Sequence, residues 1–267
     1  MSGNRSKFHD RALSEFANLG LTNGPGDDSV VIDADLSGLP EAAQRYLQRM
    51  NVVGRPRAWS VRAGWTGRFR MGPDQGWMPI EVWQYNSLLG MVRVFHMRAK
   101  TFGVPIIARD TYIDGRGRML GKLFDRFTVV DGTGPEFDLG ELVTFLNDAV
   151  LFAPGMLIGP HIRWAEVDDT SFDITVMDGN TSAKGRVFID DAGTVADFST
   201  TDRYAAHTNK SLVRTRWTTP VDGWTESNGA TIPSRATAMW HMPDGPFAYA
   251  EMSPIPGAIA YNVAPGS

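Results

Sequence analysis

Residues 106–157 read IIARDTYIDGRGRMLGKLFDRFTVVDGTGPEFDLGELVTFLNDAVLFAPGML, and the fold class follows from how this stretch divides. Ile106 to Ile113 has the length and composition of a strand. Asp114–Gly115–Arg116–Gly117 signals a hairpin, because glycine takes positive φ cheaply, and Arg118 to Val130 returns as the partner strand. After the GTGP turn the period changes. Asp138 and Glu141 have capping-box spacing, and Leu142, Phe145, Leu146 and Ala149 form the apolar stripe of a helix of roughly four turns that ends before Pro154. Strands that lead into one long helix predict a curved sheet with a helical plug.

Towards the C-terminus nearly everything reads as strand. Candidates are 161–167, 172–177, 183–189, 195–201, 212–218, 224–226, 232–242 and 247–252, separated by turns such as MDGN, DDAG, SNGA and MPDG. Towards the N-terminus, Met91, Arg93, Phe95 and Met97 alternate with Val92, Val94, His96 and Arg98. The GPDQG turn at 72–76 joins two further strands between Arg57 and Tyr85. Two helices precede them. One is an amphipathic segment over 5–19, a mobile arm or a packed lid followed by the turn-rich TNGPGDDS; the other opens at Leu39–Pro40–Glu41 and carries Ala43, Tyr46, Leu47 and Met50 on one face. The expected class is α+β: a large curved antiparallel sheet, a half-barrel of roughly eleven or twelve strands wrapped around a central helix, with N-terminal helices. The expected division is 1–38 as N-terminal helix and linker, and 39–267 as a single half-barrel domain.

Composition removes several classes of function. A net charge of −4 with scattered Lys and Arg gives no footprint for nucleic acid, and no segment suits membrane insertion. Cysteine is absent, so disulfides, thiolate metal sites and a Cys nucleophile are excluded. The charged N-terminus, with Arg5, Lys7 and Asp10, lacks the apolar run of a signal peptide, and a cytoplasmic protein is expected. Nothing in the sequence speaks to oligomeric state.

Four strings, LPEAAQRYLQRMNVVGRP, ARDTYIDGRGRML, VVDGTGPEFDLGELVTFLNDAV and MWHMPDGPFAY, resemble a functionally uncharacterised bacterial family with D-x-Y-x-D-G-x-G and G-P-E-x-D-x-G-E-L signatures, over roughly Leu39 to Tyr249. The resemblance implies a half-barrel similar to the periplasmic lipoprotein-carrier proteins, a sheet around helices with an apolar cavity, and brings no established activity. The chain departs from the family pattern at Leu139, at Thr144–Asp148 and at Leu151–Gly155, where less charged or smaller residues stand. Lining a cavity, they would make it roomier and more apolar.

The polar residues that could carry chemistry are Arg109, Asp110 and Tyr112. A carboxylate raised by desolvation beside a tyrosine is a candidate base and acid, while a buried Arg–Asp pair with Asp114, Asp138 and Glu141 as turn and cap residues is the structural alternative. His96 and His241 are strand histidines that titrate near neutrality and are further candidate bases. The five histidines (His9, His96, His161, His207, His241) show no metal-ligand spacing, so no metal and no cofactor is expected. Trp77, Trp83, Phe95, Met97, Phe145 and Trp240 are candidates for an aromatic pocket, with core packing as the alternative. No nucleophile elbow, P-loop or dinucleotide fingerprint is present. The leading expectation is a cofactor-independent lyase or isomerase using acid–base chemistry on a hydrophobic small molecule, aromatic ones included; the alternative is a non-catalytic carrier or sensor of a lipid or other hydrophobic ligand.

Overall fold

Period-two alternation, interrupted once by a long helix, carries most of the chain. A computed structural model describes residues 7–26, 29–101, 103–206 and 211–267. Helices α1 (Lys7–Ala17) and α2 (Glu41–Arg49) come first. Strands β1 (Ser60–Phe69), β2 (Met78–Ser87), β3 (Val92–Thr101), β4 (Val104–Ile113), β5 (Arg116–Leu123) and β6 (Phe127–Thr133) lead to α3 (Pro135–Phe152). Beyond α3 come β7 (Ile162–Asp168), β8 (Ser171–Asp178), β9 (Thr181–Ile189), β10 (Val195–Thr200), β11 (Tyr204–Ala206) and β12 (Leu212–Arg214). The chain ends with β13 (Trp217–Thr218), β14 (Trp224–Ser227), β15 (Ala230–Pro233), β16 (Ala236–Met242), β17 (Gly245–Pro254) and β18 (Ala260–Tyr261).

Fourteen of these strands form one antiparallel sheet in the order β6-β5-β4-β3-β2-β1-β17-β16-β13-β10-β9-β8-β7, with β18 beside β1; β11–β12 and β14–β15 are separate hairpins. Each half of the path is a meander, and the halves meet where β1 pairs β17. The two free edges, β6 and β7, are therefore joined in sequence by α3. The sheet curls: the Tyr112 hydroxyl on β4 donates to Asp178 Oδ2 on β8 at 2.8 Å, although these strands lie far apart in the sheet order. The architecture is the expected α+β half-barrel, with α3 packed against β4, β5 and β6 on one side and β8, β9 and β10 on the other.

That enclosure corrects two expectations about α3. An amphipathic helix was expected, yet every residue from Gly140 to Phe152 is buried, because the sheet covers the helix from both sides. The capping-box reading also fails. The helix starts with Pro135 at its first turn and Gly134 before it. Asp138 instead accepts the Gly117 backbone N–H (2.7 Å) and an Arg116 N–H (3.1 Å), and Glu141 faces Arg93. Glycine permits this close approach: a side chain at Gly117 would run into the Phe137 carbonyl, and one at Gly132 into the Phe137 ring.

More strands are present than expected, because three predicted strands break in two and the short β11 and β18 fall outside every predicted segment. In the segment 118–130 the break is a turn in which Phe124 and Asp125 hold φ of 52° and 57°. No glycine marks it. The first helix is a packed element, set on the convex face by Phe8, Ala12 and Phe16 against Tyr85, Val92, Val94 and His96.

Candidate functional site

Strand alternation decides which predicted residues can act together. Phe95 pairs Asp110, Arg93 pairs Tyr112 and His96 pairs Arg109 across β3 and β4. Arg93, Phe95, Met97, Asp110 and Tyr112 thus point to the concave face, towards α3. His96 and Arg109 point to the convex face, under α1, where both meet Glu15 (His96 Nε2 to Glu15 Oε2 is 2.6 Å). The expected group of Arg109, Asp110, Tyr112 and His96 is therefore split by the sheet itself, and Arg109 and His96 belong to the clamp that holds α1. Burial, reinforced by Arg11, lowers the His96 imidazole to about 4, so it is neutral at pH 7. His241 is separate again, with its Nε2 3.0 Å from the Thr218 hydroxyl and its protonation disfavoured by burial and by Arg216.

On the concave face a charged cluster ties α3 to the sheet. Arg93 donates from Nε to Asp148 Oδ2 (2.7 Å) and from Nη1 to Glu141 Oε2 (2.8 Å). Gln84 (2.9 Å) and Asn86 (3.0 Å) donate to the same Asp148 oxygen, and the Trp65 indole donates to Gln84 at 3.0 Å. Burial opposes the Arg93 charge, but Asp148 and Glu141 outweigh it and the guanidinium stays ionised. Glu141 is pushed up to about 7, by burial first and by the Asp110 charge second. Asp110 is also raised by burial, against the pull of Arg93, Arg203 and His96, and its Oδ1 is fully buried without a hydrogen-bond partner. Tyr112 is not free to serve it as an acid. Its ring is fully buried, burial raises the phenol, and its O–H donates a hydrogen bond to Asp178.

Beside this cluster lies a row of aromatic rings. Phe69 meets Tyr249 edge to face at 6.0 Å, Trp240 stacks on Tyr249 at 6.1 Å, and Phe247 lies 6.4 Å from Tyr249. A bulge where Ala238 and Met239 pair Ala250 and Ala248 lets Tyr249 stand with these rings. The Trp217 indole donates to the Tyr249 hydroxyl at 3.0 Å, and the Arg203 guanidinium lies 4.5 Å from the Trp217 ring centre and 5.4 Å from that of Trp240. Phe69, Phe95, Ile106, Trp240 and Tyr249 pack on the main core yet stay half-buried.

Of the predicted pocket residues, Phe95, Met97 and Trp240 are on this concave side. Phe145 is core, 1% exposed within α3. Trp83 is on the convex face against the His9 ring (3.9 Å), its indole donating to Glu81, and Trp77 lies outside beneath Arg68 and Arg70. Among the described residues α3 is closely covered, buried from Gly140 to Phe152, where a roomier cavity was expected. At two of the departing positions the polar groups are engaged instead, Thr144 donating to the Gly140 carbonyl and Asp148 accepting from Arg93, Gln84 and Asn86. Two depressions lie elsewhere. One, of about 450 Å³, is bordered by Gly67, Arg68, Arg235, Glu251, Met252 and Ser253, and one of about 80 Å³ sits under α1. Sequence reading missed Arg93, Asp148, Glu141 and Arg203 as a group. The available signal was Arg93 alternating with Met91, Phe95 and Met97 on a face that had to be buried. Among the described residues no group of His, Asp and Glu is placed to hold a metal ion; His207 lies outside the described residues.

Fold and site together define a helix-plugged antiparallel half-barrel with a buried charged cluster next to a half-exposed aromatic row. The chain belongs to a family of unknown function, DUF6544, whose family model matches residues 29–252. This agrees with the resemblance read from its motifs. A search of curated proteins gives no match. Among solved structures, the chain is similar to a putative outer membrane lipoprotein-sorting protein domain from Vibrio parahaemolyticus, at 10% identity and a TM-score of 0.41 over 83% of this chain and 91% of that one. A DUF1329 family protein from Desulfovibrio piger gives 8% and 0.43 over 87% and 94%. A LolA superfamily protein from Nitrosomonas europaea gives 10% and 0.35 over 82% and 90%. At these values the likeness says nothing of what this chain binds.

Proposed function

We propose that this protein binds a hydrophobic small molecule on the aromatic end of its concave face, as a carrier or sensor. One observation carries the reading: the linked rings of Phe69, Tyr249 and Trp240 are half-buried on the side of the sheet that otherwise forms the core. Aromatic surface left partly open beside a packed interior is what an apolar ligand would complete. Titration with the fluorescent probe N-phenyl-1-naphthylamine tests it, together with mass spectrometry of organic extracts of the purified protein. Saturable uptake is expected, and Trp240→Ala should weaken it at least tenfold while the far-UV circular dichroism is unchanged. Absence of both probe uptake and co-purifying ligand would overturn the reading.

A lyase or isomerase is the second reading, favoured by the raised carboxyl and unpartnered Oδ1 of Asp110. It is the weaker one, since Tyr112 is bound to Asp178 and Arg109 stands on the opposite face.

A further inference from the structure

Arg203 stands at the base of the β11–β12 hairpin, where its carbonyl accepts the Thr215 backbone N–H at 2.9 Å, and it is 8% exposed. Arg93, the other cation of the concave cluster, has two carboxylates. Among the described residues none lies within ion-pair distance of Arg203, whose guanidinium is instead held over Trp217 and near Trp240. Ring faces stabilise the charge but accept none of its five N–H donors in the way an oxygen does. With 8% of its surface exposed, Arg203 keeps those donors open to an incoming oxygen. Around it, Asp110 and Glu141 are near enough to feel its charge, and the Asp110 Oδ1 also lacks a partner.

We propose that Arg203 anchors the acidic head group of an amphipathic ligand, a carboxylate or phosphate whose apolar tail lies along the Phe69–Tyr249–Trp240 row. The assignment rests on the ligand-binding reading above. An oxyanion matches the planar fork of the guanidinium and satisfies donors that the protein leaves unmet. Carboxyls that burial makes ready to hold a proton can donate to such a head group instead of repelling it. An amine head group would place a second cation beside Arg203.

Four ligands of one chain length separate the possibilities: hexadecanoic acid, hexadecyl phosphate, hexadecanol and hexadecylamine. Each would displace N-phenyl-1-naphthylamine at pH 7 and below its micelle concentration. The acid and the phosphate are expected to bind at least tenfold tighter than the alcohol, and the order of those two names the oxyanion. Arg203→Gln should remove that advantage, bringing the acid and the phosphate to within about twofold of the alcohol, while Arg203→Lys, which keeps the charge and loses the fork, should fall between. Equal binding of acid and alcohol by the native protein, or tightest binding of the amine, would overturn the head-group assignment and leave the binding reading intact. Failure of the probe and of all four ligands would overturn both.

Discussion

Glu141 and His96 titrate in opposite senses on the two faces of one sheet. Glu141, buried on the concave side among Asp110, Arg93, Arg203 and Asp148, holds its proton up to about 7 against an ordinary 4.5. The folded state therefore binds the extra proton between those values, and stability falls as pH rises from 4.5 to 7 and then levels. His96, on the convex side among Glu15, Arg11 and Asp125, with Asp110 acting from the opposite face, is lowered to about 4 from 6.5, so its contribution is lost as pH falls through that window. The slopes offset each other between 4.5 and 6.5. In Glu141→Gln the first is gone, and its stability relative to the native chain should grow by roughly 1–3 kcal/mol from pH 4.5 to 7 in urea unfolding. A difference that does not change with pH would sink the assignment. Neither group's role was legible beforehand. Glu141 read as a cap because a carboxylate near a helix start usually is one, and nothing local says that Arg93 will lie above it.

At the scale of elements, alternation told which side chains share a face of β3 and β4, and the structure keeps those faces. What alternation could not say was which face meets α3 and which meets α1, since both carry apolar and charged groups. Helix α1 supplies the deciding contacts: Phe8 stacks near His96, Phe16 on Tyr85, and Glu15 binds His96 and Arg109. Removing residues 1–20 should uncover the imidazole and raise the His96 pKa from about 4 towards 6.5, as followed by NMR of its ring protons. A value still near 4 would mean that the sheet alone buries it. The β5–β6 turn was illegible for another reason. Phe124 and Asp125 hold a conformation usually given to glycine or asparagine, so composition offers no cue.

Across the whole molecule, the sheet was foreseeable from the run of short alternating segments, whereas its order was not. Pairing of β1 with β17 sets Trp65 opposite Pro254 and Phe69 opposite Ala250, contacts that sequence spacing cannot suggest. Most other neighbours in the sheet are close along the chain. Closing a loop of that length carries an entropic cost that hairpins avoid, so the β1–β17 pairing should form last. Pulse-labelled hydrogen exchange during refolding should protect amides bonded across β2–β3 and β8–β9 before those bonded across β1–β17. Earliest protection across β1–β17 would contradict this order.

The same pairing bears on synthesis at the ribosome. Strands β1 to β6 emerge before β17 exists, and β1 then offers an open row of backbone donors and acceptors to any neighbouring nascent chain until residue 254 has been made. For this protein the hazardous interval is the translation of its second half, and slowing that half would lengthen the exposure of the first.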